Sequence, residues 1–324
     1  MDKVIRSNGK KFSSTKIVFA ILAVVLILYS TSMLLMLIWG LFTSLKSIDD
    51  FEYLGNVIGF PNLNSNEMFN SREAFFKFQN YATIINNFVI VRRAVFYRSG
   101  IAEPIVHVCE AGFGELLVNT VLYTVGGALI YALMPALTAY LCAKYDYKLS
   151  GALIAVYTLM MCMPIVGSAP FELTFLRNVG LYDSIWGNYI QKMTGGGMYF
   201  FVYLAFFKGL SDTYREAASI DGASEGRIML SVYFPLALKI ISTVFLIQFV
   251  ALWNDYQTPL LYLPTHPTIG YAVYYISYES FNPEFYHTPV QVAGLMLLAL
   301  PIIVLFVVFK ERLMGDISLG GIKE

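Results

Sequence analysis

The residues best placed for a specific task lie between positions 211 and 239, SDTYREAASIDGASEGRIMLSVYFPLALK. Glu216 and Asp221 supply charge, Ala217 and Ala218 leave the backbone open to close approach, and Gly222 stands where a helix can end in a left-handed cap. Thr213 with Glu216 three residues on forms a capping box, and Tyr214, Ala217 and Ala218 fall on one helical face. Pro235 suits the first turn of the next helix, where its missing N–H costs nothing. The pattern predicts a helix, a turn and a helix whose chemistry is docking, with no bond made or broken. On its own it fits an amphipathic helix at a membrane interface equally well.

Bond-breaking chemistry finds little support. There is no GxxxxGK[ST], HExxH or GxSxG pattern, and His107, His266 and His287 are scattered. Cys109, Cys142 and Cys162 are odd in number and lack zinc-like spacing. No catalytic residue, metal site or cofactor is expected. The apolar segments lack the buried carboxylates, lysines and histidines by which ion-driven carriers relay charge. Asn119, Thr124, Gln248 and Asn254 are candidates for the path of an uncharged polar solute, although such groups read first as glue between helices.

These residues sit in a chain of 324 residues that is 57% hydrophobic and only 14% charged. Soluble domains carry about 25% charged residues, so too little polar surface is present for water alone. Lys plus Arg (22) balance Asp plus Glu (22), which gives nucleic acid no electrostatic purchase. Windows 17–42, 116–143, 149–171 and 285–309 are free of charge and exceed the roughly 20 residues that cross a bilayer. Windows 193–207 and 240–254 are shorter and must borrow from their flanks, from Trp186 past a snorkelling or protein-facing Lys192 and from Pro235 past Lys239. Most of the 22 Lys and Arg fall on one side if the N-terminus is inside.

The expectation is therefore an all-α polytopic membrane protein with six transmembrane helices and cytoplasmic N- and C-termini. Its parts are a cytoplasmic N-terminus (1–16), a first transmembrane helix (17–42), an external loop or insertion (43–112) and a membrane domain (112–309). The domain has helices near 113–143, 149–172, 186–207, 235–255 and 287–309, with a cytoplasmic loop at 209–235 and a cytoplasmic tail at 310–324. Residues 256–288 form an external loop rich in tyrosine and proline, without Lys or Arg. Tyr271, Tyr274 and Tyr275 are candidates there for contact with another protein, or for an interfacial tyrosine belt.

The 211–239 segment resembles the EAA loop of ABC importer permeases, in which EAA, three residues, Gly, nine residues and I-x-L-P follow in order. Here Glu216-Ala217-Ala218, Gly222, then Val232, Phe234 and Pro235 keep the spacing. TSLKS (43–47), FQNYATII (78–85), LTAYLCAKY (137–145), LRNVGLYDSIWG (176–187) and SLGGIKE (318–324) resemble one branch, the carbohydrate permeases similar to the six-span maltose permease subunit. The departure is an insertion near 90–112. The resemblance implies a type I ABC importer permease fold in a bacterial cell membrane, and a transport subunit with no enzymatic activity. It implies as partners a second homologous permease, a dimer of separate ATP-binding subunits and an extracytoplasmic solute-binding protein, with a sugar or oligosaccharide as solute. Glu216, Ala217, Ala218, Asp221, Gly222 and Pro235 would couple the ATPase, which the tail from Arg312 would also touch; Tyr271, Tyr274 and Tyr275 would meet the binding protein. Two alternatives stay open: a permease for another polar solute, and an ion-coupled secondary transporter with inverted repeats.

Overall fold

The computed structural model describes residues 14–61, 76–87, 89–96, 105–145, 147–162, 167–193, 197–279 and 283–314. The chain forms two compact units: residues up to Tyr81 with His287–Met296, and Ala82–Tyr286 with the residues from Leu297. The SLGGIKE stretch lies outside the described residues.

In the first unit, α1 (Ser14–Ser44) is apolar on every side, and residues 18–39 are all exposed. A helix that is hydrophobic all round needs an apolar surrounding, which lipid provides. Its C-terminal carbonyls are satisfied by the start of α2 (Gln79–Asn87): Asn80 donates to the carbonyls of Ser44 at 2.8 Å and Lys46 at 2.9 Å. The hydroxyls of Ser44 and Tyr81 meet at 2.6 Å. TSLKS and FQNYATII, two separate stretches of the sequence, are thus halves of one joint. In the same unit Glu52 accepts from the Thr288 N–H at 3.2 Å and meets His287 Nδ1 at 3.0 Å, which puts an acid at the N-terminus of α12 (Thr288–Met314).

The second unit opens with a departure from the all-α expectation in a chain that is otherwise mostly helical. Strands β1 (Val89–Phe96) and β2 (Ile105–Gly112) pair antiparallel, with Ile90 opposite Ala111. The reason is local: VIVRRAVF and IVHVCEAG are rich in β-branched residues, which suit a pleated, half-buried surface. Ile90 and Ala111 are fully buried, while Val89, Val91, Val106 and Val108 face outward.

The remaining helices are α3 (Phe113–Lys144), α4 (Lys148–Cys162), α5 (Ser168–Asn178), α6 (Ile185–Met193), α7 (Gly197–Gly209), α8 (Thr213–Ile220), α9 (Glu225–Trp253), α10 (Gln257–Tyr262) and α11 (Ile269–Tyr278). Among the described residues α1, α3 and α9 are long and apolar enough to cross a membrane; Leu149–Cys162, Gly197–Gly209 and Thr288–Val304 are shorter apolar helices. The core lies where α3, α7 and α9 meet. Ala132, Ala136 and Ala139 recur at i, i+4 and i+7 along α3 and let α7 and α9 approach closely. Phe200, Tyr203, Leu204 and Phe207 of α7 and Tyr233, Ala237, Ile241 and Val244 of α9 fill the space around them. Tyr157 of α4 stacks on Phe200 with centroids 4.1 Å apart.

Pro235 stands in the first turn of the α-helical stretch Phe234–Trp253, as the sequence predicts. It lies within α9, directly after a π-helical turn at Met229–Tyr233, in which Phe234 N–H donates to Met229 O. The wider turn loosens the backbone just where the pyrrolidine ring would press on the preceding turn, so the proline is accommodated inside a continuous helix.

The LRNVGLYDSIWG stretch joins α5 to α6 through two left-handed residues, Gly180 (φ 72°) and Asp183 (φ 58°). A Cβ on Gly187 would press into the Leu181 carbonyl, so this close turn requires glycine.

Candidate functional site

Helix α8 and its two flanks hold the sequence-predicted coupling residues. The helix ends in a Schellman motif: Ala223 N–H donates to Ala218 O at 3.0 Å, Gly222 N–H to Ser219 O at 3.0 Å, and Gly222 takes φ 77°. Glu216, Ala217, Asp221 and Gly222 are exposed, and Ala218 alone of the five packs inward, against the α3/α7/α9 core. Tyr214 and Ile220 are also exposed, so α8 has no fully buried side chain. The predicted apolar face of Tyr214, Ala217 and Ala218 is not turned to the core as a unit.

The predicted capping box is replaced by a different device. The residue before α8 is Asp212, whose carboxylate makes no capping bond to the helix. It is drawn instead to Lys144 at the end of α3, whose Nζ reaches Asp212 Oδ1 at 2.7 Å and Leu210 O at 2.6 Å. The Lys144 side chain is 2% exposed and lies over the Tyr233 ring at 5.3 Å. A buried ammonium needs such acceptors, and a carboxylate is worth more to it than to an exposed helix end. The hydrogen bond and charge of Lys144 hold the Asp212 carboxyl below the usual carboxylate range.

A second tie lies beside it. Arg215 of α8 grips Glu225 at the start of α9 with Nη2 at 2.7 Å and Nε at 3.3 Å, donates to Lys144 O at 3.3 Å and lies 4.7 Å over the Tyr145 ring. The Tyr145 hydroxyl donates to Glu225 Oε2 at 2.6 Å. These bonds, Arg215 first, lower the Glu225 carboxyl below its ordinary range. Burial, reinforced by the bond to Glu225, pushes the Tyr145 phenol up. A cavity of about 800 Å³ opens against Leu137, Tyr140, Tyr145, Arg215, Glu225 and Met229. The arrangement ties an exposed helix to two long ones, α3 and α9. Sequence reading missed Lys144, Tyr145, Arg215 and Glu225, although LTAYLCAKY ends on the first two.

The other predicted residues are dispersed. Asn119 is buried and donates to Pro267 O at 3.2 Å, and Thr124 turns back to Thr120 O of its own helix. Gln248 of α9 donates to the Tyr199 hydroxyl of α7 at 3.0 Å, and Asn254 to Val250 O at 2.9 Å. None of these four lines the cavity beside Arg215 and Glu225. Tyr271 is fully buried; its hydroxyl donates to Glu279 at 2.6 Å, and Arg92 of β1 lies 4.5 Å over its ring. Burial raises its phenol pKa, with the Glu279 bond adding to the effect. Arg92 also donates to Leu260 O at 3.1 Å, so the hairpin is fastened to the 256–279 loop. Tyr274 and Tyr275 are half-buried, Tyr274 stacks on Tyr256 at 4.8 Å, and Tyr278 is 78% exposed. Asp183 accepts from Thr265 N–H at 2.9 Å and Oγ1 at 2.8 Å; burial raises its pKa, but the bonds from His266 and Thr265 outweigh it and leave the carboxyl lowered.

Residues 117–312 match the model of the family described as binding-protein-dependent transport system inner membrane component. The chain is 27% identical over 216 residues to the melibiose/raffinose/stachyose import permease protein MelC of Bacillus subtilis, covering 66% of this chain and 78% of that protein. It is 25% identical over 323 residues to the diacetylchitobiose uptake system permease protein NgcG of Streptomyces coelicolor, covering 95% and 90%. Its fold is similar to a chain of a bacterial ABC transporter involved in the import of the acidic polysaccharide alginate, with TM-score 0.65 and 19% identity over 92% of this chain and 97% of that one.

Proposed function

The chain belongs to the binding-protein-dependent transport system inner membrane component family, and from that premise we propose that it is one permease subunit of an ATP-driven importer of a sugar or oligosaccharide. It forms the translocation path with a second, homologous permease. It crosses a bacterial cell membrane six times with both termini in the cytoplasm, and it docks α8 into a dimer of separate ATPase subunits. An extracytoplasmic binding protein delivers the solute to the face that carries residues 256–288. The relatives named for melibiose, raffinose and diacetylchitobiose support a carbohydrate over another polar solute.

The observation that carries this reading is α8 itself: an exposed helix of small and acidic residues, closed by a left-handed glycine and tied at both flanks. A helix held this firmly with its outer face uncovered is a ready docking element. Glu216, Ala217, Asp221 and Gly222 present that face, Ala218 seats it, and Pro235 marks the loosened turn behind it. On the opposite face Tyr274 and Tyr275, together with the exposed Tyr278, receive the binding protein, while the buried Tyr271 supports them from beneath.

The test is to purify the complex through this chain and weigh what comes with it. A homologous permease and an ATPase are expected; a chain that purifies without an ATPase refutes the reading. Gly222→Pro, which cannot take φ 77° and lacks the N–H given to Ser219, should abolish ATPase retention while membrane insertion continues.

A further inference from the structure

A cavity of about 500 Å³ opens in the second unit, lined by Tyr131, Phe171, Glu172, Phe175, Gln191 and Lys192. Its size falls within the range of about 300–1,000 Å³ usual for small-ligand sites. Tyr131 comes from the middle of α3, whereas Glu172 and Phe175 come from α5 and Gln191 and Lys192 from the end of α6, so three helices meet at the cavity. Lys192 is 5% exposed, with Nζ 3.3 Å from the Tyr123 hydroxyl and 4.6 Å from its ring centre. The Tyr123 hydroxyl in turn donates to Asp255 at 2.5 Å, and among the described residues Lys192 forms no ion pair. Glu172 accepts from Gln191 Nε2 at 2.5 Å and from the Tyr262 hydroxyl at 3.3 Å. Of the two ionisable groups Lys192 is the buried one, and a buried ammonium without an ion pair is costly to keep.

We infer that this cavity is a subsite for one neutral sugar unit, an inference that rests on the importer reading above. Pyranose rings have an apolar C–H face and a rim of hydroxyls, and the cavity supplies both complements. Phe171 and Phe175 are four residues apart on one face of α5, are 74% and 51% exposed, and with Tyr131 offer ring surface for stacking. Lys192 donates and Glu172 accepts, which matches hydroxyls that do both, and the Gln191 amide, which accepts from Asn188 and donates to Glu172, holds that carboxylate in place. Pro135 withholds the helical N–H from the Tyr131 carbonyl and leaves a further acceptor beside that ring. Lipid alone covers such a rim poorly, because Glu172 and Gln191 share it. Glu172 and Lys192 bring one charge of each sign to the lining, so the cavity carries no net charge: a neutral sugar needs no counter-charge, whereas a uronate would add a carboxylate beside Glu172. Asn119, Thr124 and Asn254, turned to backbone acceptors, are better placed to hold the helices than to touch solute.

The experiment uses the whole transporter in membranes, in a Cys162→Ser background, with Phe175→Cys added and labelled by a methanethiosulfonate reagent. Raffinose and diacetylchitobiose are the neutral probes and an alginate trisaccharide the acidic one. At least one neutral sugar should be taken up by the unmodified transporter and should slow labelling of the Phe175→Cys thiol at least five-fold; the acidic trisaccharide should not. Glu172→Gln, recovered in wild-type amounts, should raise the KM for that sugar at least ten-fold. Purification of the chain without an ATPase overturns the importer reading, and the subsite with it, whereas an assembled transporter that moves neither neutral sugar overturns the subsite alone. Uptake of a neutral sugar that neither protects the thiol nor responds to Glu172→Gln overturns the subsite alone, and equal protection by the acidic trisaccharide overturns the charge preference. Because position 175 is exposed, the labelling readout holds even where a Glu172 variant fails to assemble.

Discussion

The two ends of α9 are served by loops built on opposite plans. At its N-terminal end the backbone is held by charge: Lys144 on Asp212, and Arg215 on Glu225. The residues left over, Glu216, Ala217 and Asp221, face outward. At its C-terminal end the polypeptide is held by aromatic packing, with Tyr271 buried under Arg92 and Tyr256 stacked on Tyr274. Charged ties fix a position while costing little buried area, and so leave a helix uncovered. Aromatic packing fixes a surface by burying it, and leaves rim positions such as Leu261 and Tyr278 exposed. A rigid lever and a broad seat are what these two plans respectively make.

The comparison breaks first at Lys144. Lys144→Met leaves Asp212 and the Leu210 carbonyl without their donor and so frees the start of α8 from the end of α3. ATPase retained on the purified complex should fall at least five-fold, with the 256–279 loop unaltered in hydrogen exchange. Arg92→Ala is the counterpart at the other end, removing the donor to Leu260 O and the cation over Tyr271. The loss is about 1–3 kcal/mol, and should appear as faster exchange around Tyr271 with full ATPase retention. If each variant disturbs both ends equally, the two plans are not independent.

Gly222→Ala sharpens the first plan with a smaller effect. No atom lies within 4 Å of the added Cβ, so the whole penalty is the left-handed backbone, roughly 1–2 kcal/mol. A two- to three-fold loss of retention is expected, measured beside the complete loss for Gly222→Pro. Acid gives the smallest effect. Because the folded-state pKa of Glu225 is lowered, its tie to Arg215 stabilises the loop above the ordinary glutamate range and is lost as pH falls through the folded value, below 4.5. Exchange protection of the 224–228 segment should therefore be flat from pH 5 to 8 and decline below that window. In Arg215→Gln the protection should already be reduced at neutral pH.

The α8 turn was legible because its determinants are local: Glu216 to Gly222 spans two helical turns, and the glycine that must go left-handed is where a helix stop is read. The cap was not, because Asp212, the residue before α8, is drawn to Lys144 at the end of α3, and spacing within a loop carries no trace of that contact. Pro235 was legible in the first turn of Phe234–Trp253, but the π turn that carries the helix back to Glu225 was not, because proline at a free helix start and proline after a π turn look alike in one dimension. The hairpin was hidden by length, since 43–112 reads as too polar to span, and only the fastening of Arg92 to Leu260 O shows where its strands belong. The cavity residues were missed because Lys192 looks like a flank charge until Tyr123 and Tyr131 are seen beside it.

The π turn at Met229–Tyr233 also acts on rotational phase. One extra residue in a helix advances everything beyond it by about 100° about the axis. The segment joined to α8 and the segment that packs against α3 and α7 are thus two splines cut out of step on one shaft. Deleting a single residue from the turn would bring them into step and swing Glu225, with the whole lever it carries, about a quarter-turn around α9.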